Sequence, residues 1–362
     1  MCASWLRLLP LFAVTVALVH RAEHAMAAEA VYPGATWAKK TPAEAGMDAG
    51  KLAAFSTFAG GRGCVVRGGR MVYTWGDAAK RGDVASAAKP VYSHLLFKAL
   101  ELGKIKSLDD KVRLLEPRLA HLNPHLQYKD SLITWRHLAT QTSCYGVWEQ
   151  PGAAFDYNDW QMALFWDLLF LKAYGASYAT VDEKVLHPLL ADPIGCEDKP
   201  TLMAFGTKNR AGRLAISPRD FARFGLLYLR KGRWNGKPLI SARHAAMAVA
   251  SPLPGSLPQS TGRAAQMLKD QRSIGATRIP DNQCDHLGSY SWLWWTNGVD
   301  RINNRHWSNA PHDTYGCFGH GGKRAMVVIP SRDLIVSWND TTIQSRRREN
   351  EALRLLMESL RD

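Results

Sequence analysis

The sequence predicts an α/β protein of the α+β kind: one antiparallel sheet assembled from both chain ends, helices on its faces, and a largely helical insertion between them. Three observations point there. β-rich runs occur near the two ends, around residues 64–75 and again beyond 289; the stretch from about 110 to 280 reads as helix and loop; and the chain closes on an amphipathic helix. The composition agrees, because 46% hydrophobic and 22% charged residues in a chain of 362 exclude disorder, collagen and coiled coil. That length buries a proper core in one large domain or two medium ones, with no metal or disulfide framework required.

Taken in order, residues 1–30 read as an export signal. Arg7 supplies the positive start, Leu8 to Val19 is an apolar run of 12 residues, and Ala25-Met26-Ala27 is a small-x-small cleavage site. A bilayer span needs roughly 20 apolar residues, so no permanent anchor is expected. Cleavage after Ala27 leaves one domain over 28–362 in a periplasmic or secreted location, with a sheet part at about 28–80 plus 285–362 and a helical part at about 84–284. A helix is expected around Ala43 to Ala59. Cys64 to Arg67 and Arg70 to Trp75 then flank Gly68-Gly69, a two-residue hairpin turn that needs positive φ. Gly60-Gly61-Arg62-Gly63 is no phosphate loop, since its glycines precede a strand and a phosphate loop must follow one.

Residues 86–103 form a helix with Pro90 in the first turn, Gly103 at the stop, and Leu95, Leu96, Ala99 and Leu102 as the apolar face. Met162 to Leu171 is a core helix. Ser217-Pro218-Arg219-Asp220 opens another, with Phe221, Phe224 and Tyr228 on its packing face. Tyr290 to Trp295, Ala325 to Ile329 and Leu334 to Trp338 are strand-like, with Pro330 to Asp333 turning the last pair into a hairpin. Arg346 to Leu360 ends the chain as a helix with Ala352, Leu353, Leu356 and Leu360 on one side.

Lys plus Arg exceed Asp plus Glu by 46 − 32 = 14, but the basic residues are scattered and Arg346-Arg347-Arg348 is the one tight run. Such a surface is solvated; it suits an anionic cell-envelope polymer, and no nucleic-acid partner is expected. Beyond the signal, Cys64, Cys144, Cys196, Cys284 and Cys317 are an odd number without a CxxC pair, so no zinc site is expected and any disulfide pairing is open. His306, His312 and Asp313 share a loop, but no helically spaced ligand pair accompanies them and no metal is assigned.

Chemistry concentrates in three places. Ser86-Ala87-Ala88-Lys89 puts a hydroxyl and an amine at i and i+3 on one helical face, at a helix start whose N–H groups favour a developing anion. Tyr157-Asn158-Asp159 follows in the helical part, where a tyrosine beside the lysine can relay a proton. His320-Gly321-Gly322 precedes a C-terminal strand, so that the Lys323 N–H and that of Ser86 can form an oxyanion hole. Each has a plainer reading, as a chance Ser-x-x-Lys, a turn aromatic and a tight bend. Trp292, Trp294, Trp295, Trp307 and Trp338 near the third site are either a sugar- or aromatic-binding wall or core.

Together these segments resemble the β-lactamase-related serine hydrolases, the group of class C β-lactamases, DD-peptidases and serine esterases. Ser86 to Lys89 looks like the family's nucleophile motif, Tyr157 to Asp159 like its Tyr-x-Asn motif, and His320 to Gly322 like its Lys-Thr-Gly or His-x-Gly motif. Ile133 to Leu138 with Thr142-Ser143, Pro151-Gly152 and Arg219 to Gly225 fit as well, so the likeness spans about residues 40–340. It implies a β-lactamase/transpeptidase-like fold and catalysis through an acyl-enzyme on Ser86, with Lys89 and Tyr157 moving protons and no cofactor.

Two departures bear on function. Asp159 stands where the family has Asn, which can repel carboxylated substrates and hold Lys89 protonated. His320 and Gly321 replace the Lys and hydroxyl residue that engage a β-lactam carboxylate, so efficient β-lactam hydrolysis is not expected. Cys144 also stands where Gly is usual. The expectation is an exported hydrolase of small esters or amides. Two alternatives stay open: a DD-peptidase or weak β-lactamase acting on peptidoglycan-type peptides, and a non-catalytic binding protein that keeps the fold.

Overall fold

A computed structural model describes residues 30–204, 212–278 and 281–361. The elements, in chain order, are helix α1 (Ala49–Ala59), strands β1 (Arg62–Arg67), β2 (Arg70–Trp75) and β3 (Gly82–Asp83), a 3₁₀ turn (Ala85–Ala88), and helices α2 (Lys89–Glu101), α3 (Trp135–Ala139) and α4 (Asp159–Trp166). There follow β4 (Ala215–Ile216), α5 (Pro218–Leu229), β5 (Arg233–Trp234), β6 (Lys237–Pro238), α6 (Ala242–Ala250), β7 (Trp295–Thr296), β8 (Tyr315–Gly319), β9 (Arg324–Ile329), β10 (Leu334–Asn339) and α7 (Arg346–Glu358). The export signal expected at residues 1–27 lies outside the described residues. No helix among them is long and apolar enough to cross a membrane.

The main sheet has six strands in the order β2-β1-β10-β9-β8-β7, and it joins the two chain ends by pairing Val65 with Val336 across β1 and β10. Its strands read as nearly continuous apolar runs because both faces are covered. Side chains alternate between the faces, so Cys64, Val66, Met326, Val328 and Ile335 enter the core shared with the helical part. Val65, Ala325, Val327, Val336 and Trp338 face the other way, where Leu52 and Phe55 of α1 and Leu353 and Leu356 of α7 close the sandwich. On the inner face α5 lies close to the strands. A Cβ on Gly225 would stand 2.8 Å from Met326 Sδ and 3.0 Å from Ile335 Cγ2.

The hairpin turn at Gly68-Gly69 has the positive φ its sequence demands, 60° and 71°. Ser217 caps α5 by accepting from the Asp220 N–H at 3.2 Å, and the expected Phe221, Phe224 and Tyr228 are buried.

Other expectations are corrected. The first helix starts at Ala49 rather than Ala43, because Gly46 takes a left-handed turn and Asp48 caps the helix, accepting from Gly50 N–H at 2.9 Å. Leu102 leaves the apolar face of α2 and is 50% exposed. Of the run from Tyr290 to Trp295, only Trp295 joins the sheet, since Leu293 at φ 62° folds the aromatic residues into a tight loop. The sequence also hid β8, whose two glycines and a cysteine carry little β-propensity. The five cysteines of the described residues are all free thiols.

Gly225→Val tests the helix-on-sheet packing. The added branches push into Met326 and Ile335, and urea unfolding should show a loss of about 1–3 kcal/mol; an unchanged midpoint would mean that α5 can lift off the sheet without cost.

Candidate active site

Between sheet and helical part lies a cleft of about 560 Å³, lined in part by Ser86, Tyr157, Asp159, Trp295, His320 and Gly321. The nucleophile candidate reaches it through an unusual start of α2. Asp83 Oδ1 accepts the Ala85 N–H at 2.8 Å, Ala85 adopts φ 50°, and the 3₁₀ turn runs from there into the helix. A 3₁₀ turn eclipses residues i and i+3. Ser86 and Lys89 therefore stack directly, with Lys89 Nζ donating to Ser86 Oγ at 2.9 Å.

Lys89 is 2% exposed. Its ammonium stands 4.4 Å from the Tyr157 ring centroid and 3.9 Å from Asp159 Oδ1, and the Tyr157 phenol interacts with both the Ser86 and Lys89 side chains. Burial pulls the lysine pKa down, but the pull of Tyr157 and Asp159 on the ammonium outweighs it and the pKa is raised. Burial likewise raises the Tyr157 phenol, only partly offset by Lys89. At neutral pH the pair therefore rests as ammonium and phenol.

Asp159 is held in place from several sides. It opens α4 behind the N-cap Asn158, which accepts from Gln161 N–H at 2.7 Å. Its N–H donates to Asp281 at 3.0 Å, and its Oδ2 accepts from Ala276 N–H at 3.1 Å. Gly275 permits this contact, since a Cβ there would sit 2.3 Å from Oδ2. Asn158 faces inward to Asp156, so it does not take over the role of the family's asparagine.

The third predicted site precedes a strand, as expected, and takes the plainer of its two readings, a tight bend. His320, Gly321 and Gly322, at φ 50°, 65° and 103°, reverse the chain between β8 and β9. Gly319 brings that turn against the nucleophile: a Cβ on it would lie 2.4 Å from the Val84 carbonyl and 3.2 Å from Ala87 N. Lys323 is placed differently from expectation. Its N–H donates at 3.5 Å to the His320 carbonyl, closing the turn, and the cleft is lined by His320 and Gly321 instead. His320 is exposed, and partial desolvation with Arg324 and Arg213 nearby lowers its pKa, so it brings no charge at neutral pH.

Several residues of the site escaped sequence reasoning. Asp83, three residues ahead of Ser86, accepts from Arg213 at 2.7 Å and Arg324 at 3.3 Å as well as holding Ala85. Those partners are far apart in sequence, which is why no local motif marks it. Cys284, Arg213, His306 and Glu349 also line the cleft from separate loops and from α7. Of the five tryptophans, Trp292, Trp294, Trp307 and Trp338 are core and Trp295 alone is a wall. His306, His312 and Asp313 do not converge: His306 stacks on Trp295, while Asp313 accepts from Ser331 N–H at 2.6 Å. Cys144 has φ 51°, which accounts for glycine at this position in the family it resembles.

The family model described as Beta-lactamase matches residues 49–357. Among solved structures, a β-lactamase from Mycobacterium bovis is similar at TM-score 0.56 and 18% identity, covering 86% of this chain and 100% of that one. A penicillin-binding protein homolog from Caulobacter crescentus is similar at TM-score 0.56 and 14% identity, over 87% and 99% of the two chains. Simvastatin synthase from Aspergillus terreus is similar at TM-score 0.55 and 13% identity, over 88% and 98%. At these identities the likeness is one of fold. No curated protein matched the chain.

Asp83→Ala removes the acceptor shared by two arginines and the Ala85 amide. Stability should fall by about 2 kcal/mol in chemical unfolding. A variant as stable as the parent would show that the arginines hold the nucleophile turn without it.

Proposed function

Because the chain belongs to the β-lactamase family of serine hydrolases, we propose that it cleaves small esters or amides through an acyl-enzyme on Ser86. The observation that carries this reading is the 2.9 Å contact of Lys89 Nζ with Ser86 Oγ, in a cleft where Tyr157 faces both. Ser86 Oγ forms a bond to the substrate carbonyl carbon, and its proton passes to Lys89 in the fraction of molecules where the lysine is neutral. Lys89 then returns a proton through the Tyr157 phenol to the leaving group, and water repeats the sequence to release the acid. The oxyanion is received by the Ser86 N–H and by the turn at His320 and Gly321, in place of the Lys323 N–H.

Substrates without a carboxylate suit the cleft best. The neutral His320 offers no charge to a carboxylate, and Asp159 beside Lys89 repels one. A peptidoglycan-type peptide or β-lactam is for these reasons the second choice.

A fluorophosphonate should label Ser86, located by peptide mass spectrometry, and Ser86→Ala should lose both label and turnover while keeping its fold. An adduct on another residue, or none, would overturn the mechanism. Labelled penicillin on the same samples separates an ester pocket from one that receives β-lactams.

The base has a pH signature. A raised lysine pKa keeps Lys89 protonated at neutral pH, so kcat/KM should climb with pH through the alkaline range. Asp159→Asn removes a negative neighbour, lowers that pKa and should move the ascending limb to lower pH, with a several-fold rate gain at pH 7. A limb that stays in place would assign the base elsewhere.

A further inference from the structure

Beside the His320–Gly322 turn, the cleft has a second polar group that the proposed proton transfers do not use. Glu349, in the first turns of α7, lines the cleft and is only 7% exposed. Its one side-chain hydrogen bond among the described residues comes from Trp307 Nε1, at 3.4 Å on Oε2. The other oxygen faces the His320–Gly322 turn, where a Cβ on Gly322 would stand 2.8 Å from Oε1.

Apart from Arg346, the remaining charges that line the cleft have partners. Asp159 faces Lys89, Asp285 is bonded to Arg301 at 2.6 Å, and Arg213 to Asp83 at 2.7 Å. Glu349 has no cation at ion-pair distance among the described residues; Arg346, on its own helix, is exposed at the rim and acts on it only through space. Burial pushes the Glu349 carboxyl up to about 7, partly offset by Trp307 and Arg346. The carboxyl is therefore poised to ionise when a cation arrives.

The walls beside it suit such a cation. Phe318 and Trp295 line the cleft, and an ammonium is attracted to aromatic faces as well as to a carboxylate. His306 lies flat against Trp295, ring centroids 5.3 Å apart at 8°. Burial holds its pKa down at about 3, so it stays neutral and does not repel a positive guest. His320 at the turn is held neutral in the same direction.

We propose that Glu349, with Phe318 and Trp295, forms a subsite for a primary ammonium group, so that the esters or amides cleaved at Ser86 are those bearing an amine. The inference rests on the proposed hydrolase reading for the reaction, but the subsite is a binding claim that stands apart from turnover. A lone buried carboxyl is costly to keep, and a cation carried in by the substrate supplies the partner the fold withholds. The amine end then lies beside the His320–Gly322 turn.

The test is calorimetric titration of wild-type protein, Glu349→Gln and Glu349→Asp with n-butylammonium, and with butan-1-ol as the neutral counterpart. Wild type should bind the ammonium at least tenfold more tightly than Glu349→Gln, with butanol affinity unchanged between them. Its ammonium affinity should also fall as pH drops from 7 to 5, because the carboxyl takes up a proton, whereas Glu349→Gln should be flat. Equal ammonium affinity in wild type and Glu349→Gln, no saturable binding by wild type, or a pH-independent wild-type affinity would overturn the proposal. Should Glu349→Gln fail to fold, the wild-type pH series and retention of binding in Glu349→Asp decide it. Failure of the catalytic reading is recognised separately, by absence of the fluorophosphonate adduct on Ser86.

Discussion

The buried ammonium of Lys89 constrains the molecule more than any other single group. A charge that is 2% exposed is tolerated only where partners surround it, and here they are a hydroxyl at 2.9 Å, the face of Tyr157 and a carboxylate at 3.9 Å. Each partner comes from a different kind of local structure: Ser86 from a 3₁₀ turn, Tyr157 from the loop before α4, and Asp159 from the first residue of that helix. All three lie in the helical part, so its own fold has to bring segments some seventy residues apart together. Much of the surrounding architecture holds those positions, including the left-handed Ala85, the glycine at 275 that leaves room for the carboxylate, and Asp83 bridging β3 to Arg213 and Arg324.

The same arrangement sets a compromise. Asp159 stabilises the lysine that the proposed reaction needs neutral, so ground-state stability and base strength oppose each other at one contact. For a group whose pKa is raised on folding, the stabilisation is present while the lysine is charged and fades as pH rises through the raised value. The conditions that make Lys89 a better base therefore also weaken the local structure. An asparagine at 159 relaxes the conflict by hydrogen bonding without charge, which is the physical meaning of the departure at this position.

How much of this was legible in the sequence follows from the range of each interaction. The Gly68-Gly69 hairpin, the Ser217 cap and the two-faced apolar strands were legible because their causes lie within a few residues. Ser86, Lys89, Tyr157 and Asp159 were legible as motifs, and the structure brings all four together. Where a left-handed residue decides the path, local pattern misled: it extended Tyr290 to Trp295 into a strand that Leu293 prevents; at His320 to Gly322 three positive φ values select the tight turn from the two readings left open. That turn also explains why the Lys323 amide, expected in the oxyanion hole, bonds to His320 instead. Asp83 and Glu349 left no trace, because the first is held by an arginine more than a hundred residues away and the second reaches the cleft from α7, while His306 stood out only as a metal-ligand candidate.

These elements give the cleft two chemically different groups. In one, positive charge is held against a hydroxyl and balanced by Asp159; in the other, Glu349 is a buried carboxyl with no ion-pair partner among the described residues, in a cleft that neutral His306 and aromatic walls also line. A substrate spanning such a cleft is oriented by the difference between its ends, since an amine placed near Lys89 meets like charge while the same amine near Glu349 gains a partner. Orientation then depends on α7 as much as on the nucleophile turn. Glu349 rides on a helix that packs on the outer face of the sheet, and its side chain reaches the cleft beside the turn joining β8 and β9. The sheet built from the two chain ends thus carries the nucleophile's neighbours on one side and anchors the helix that supplies Glu349 on the other.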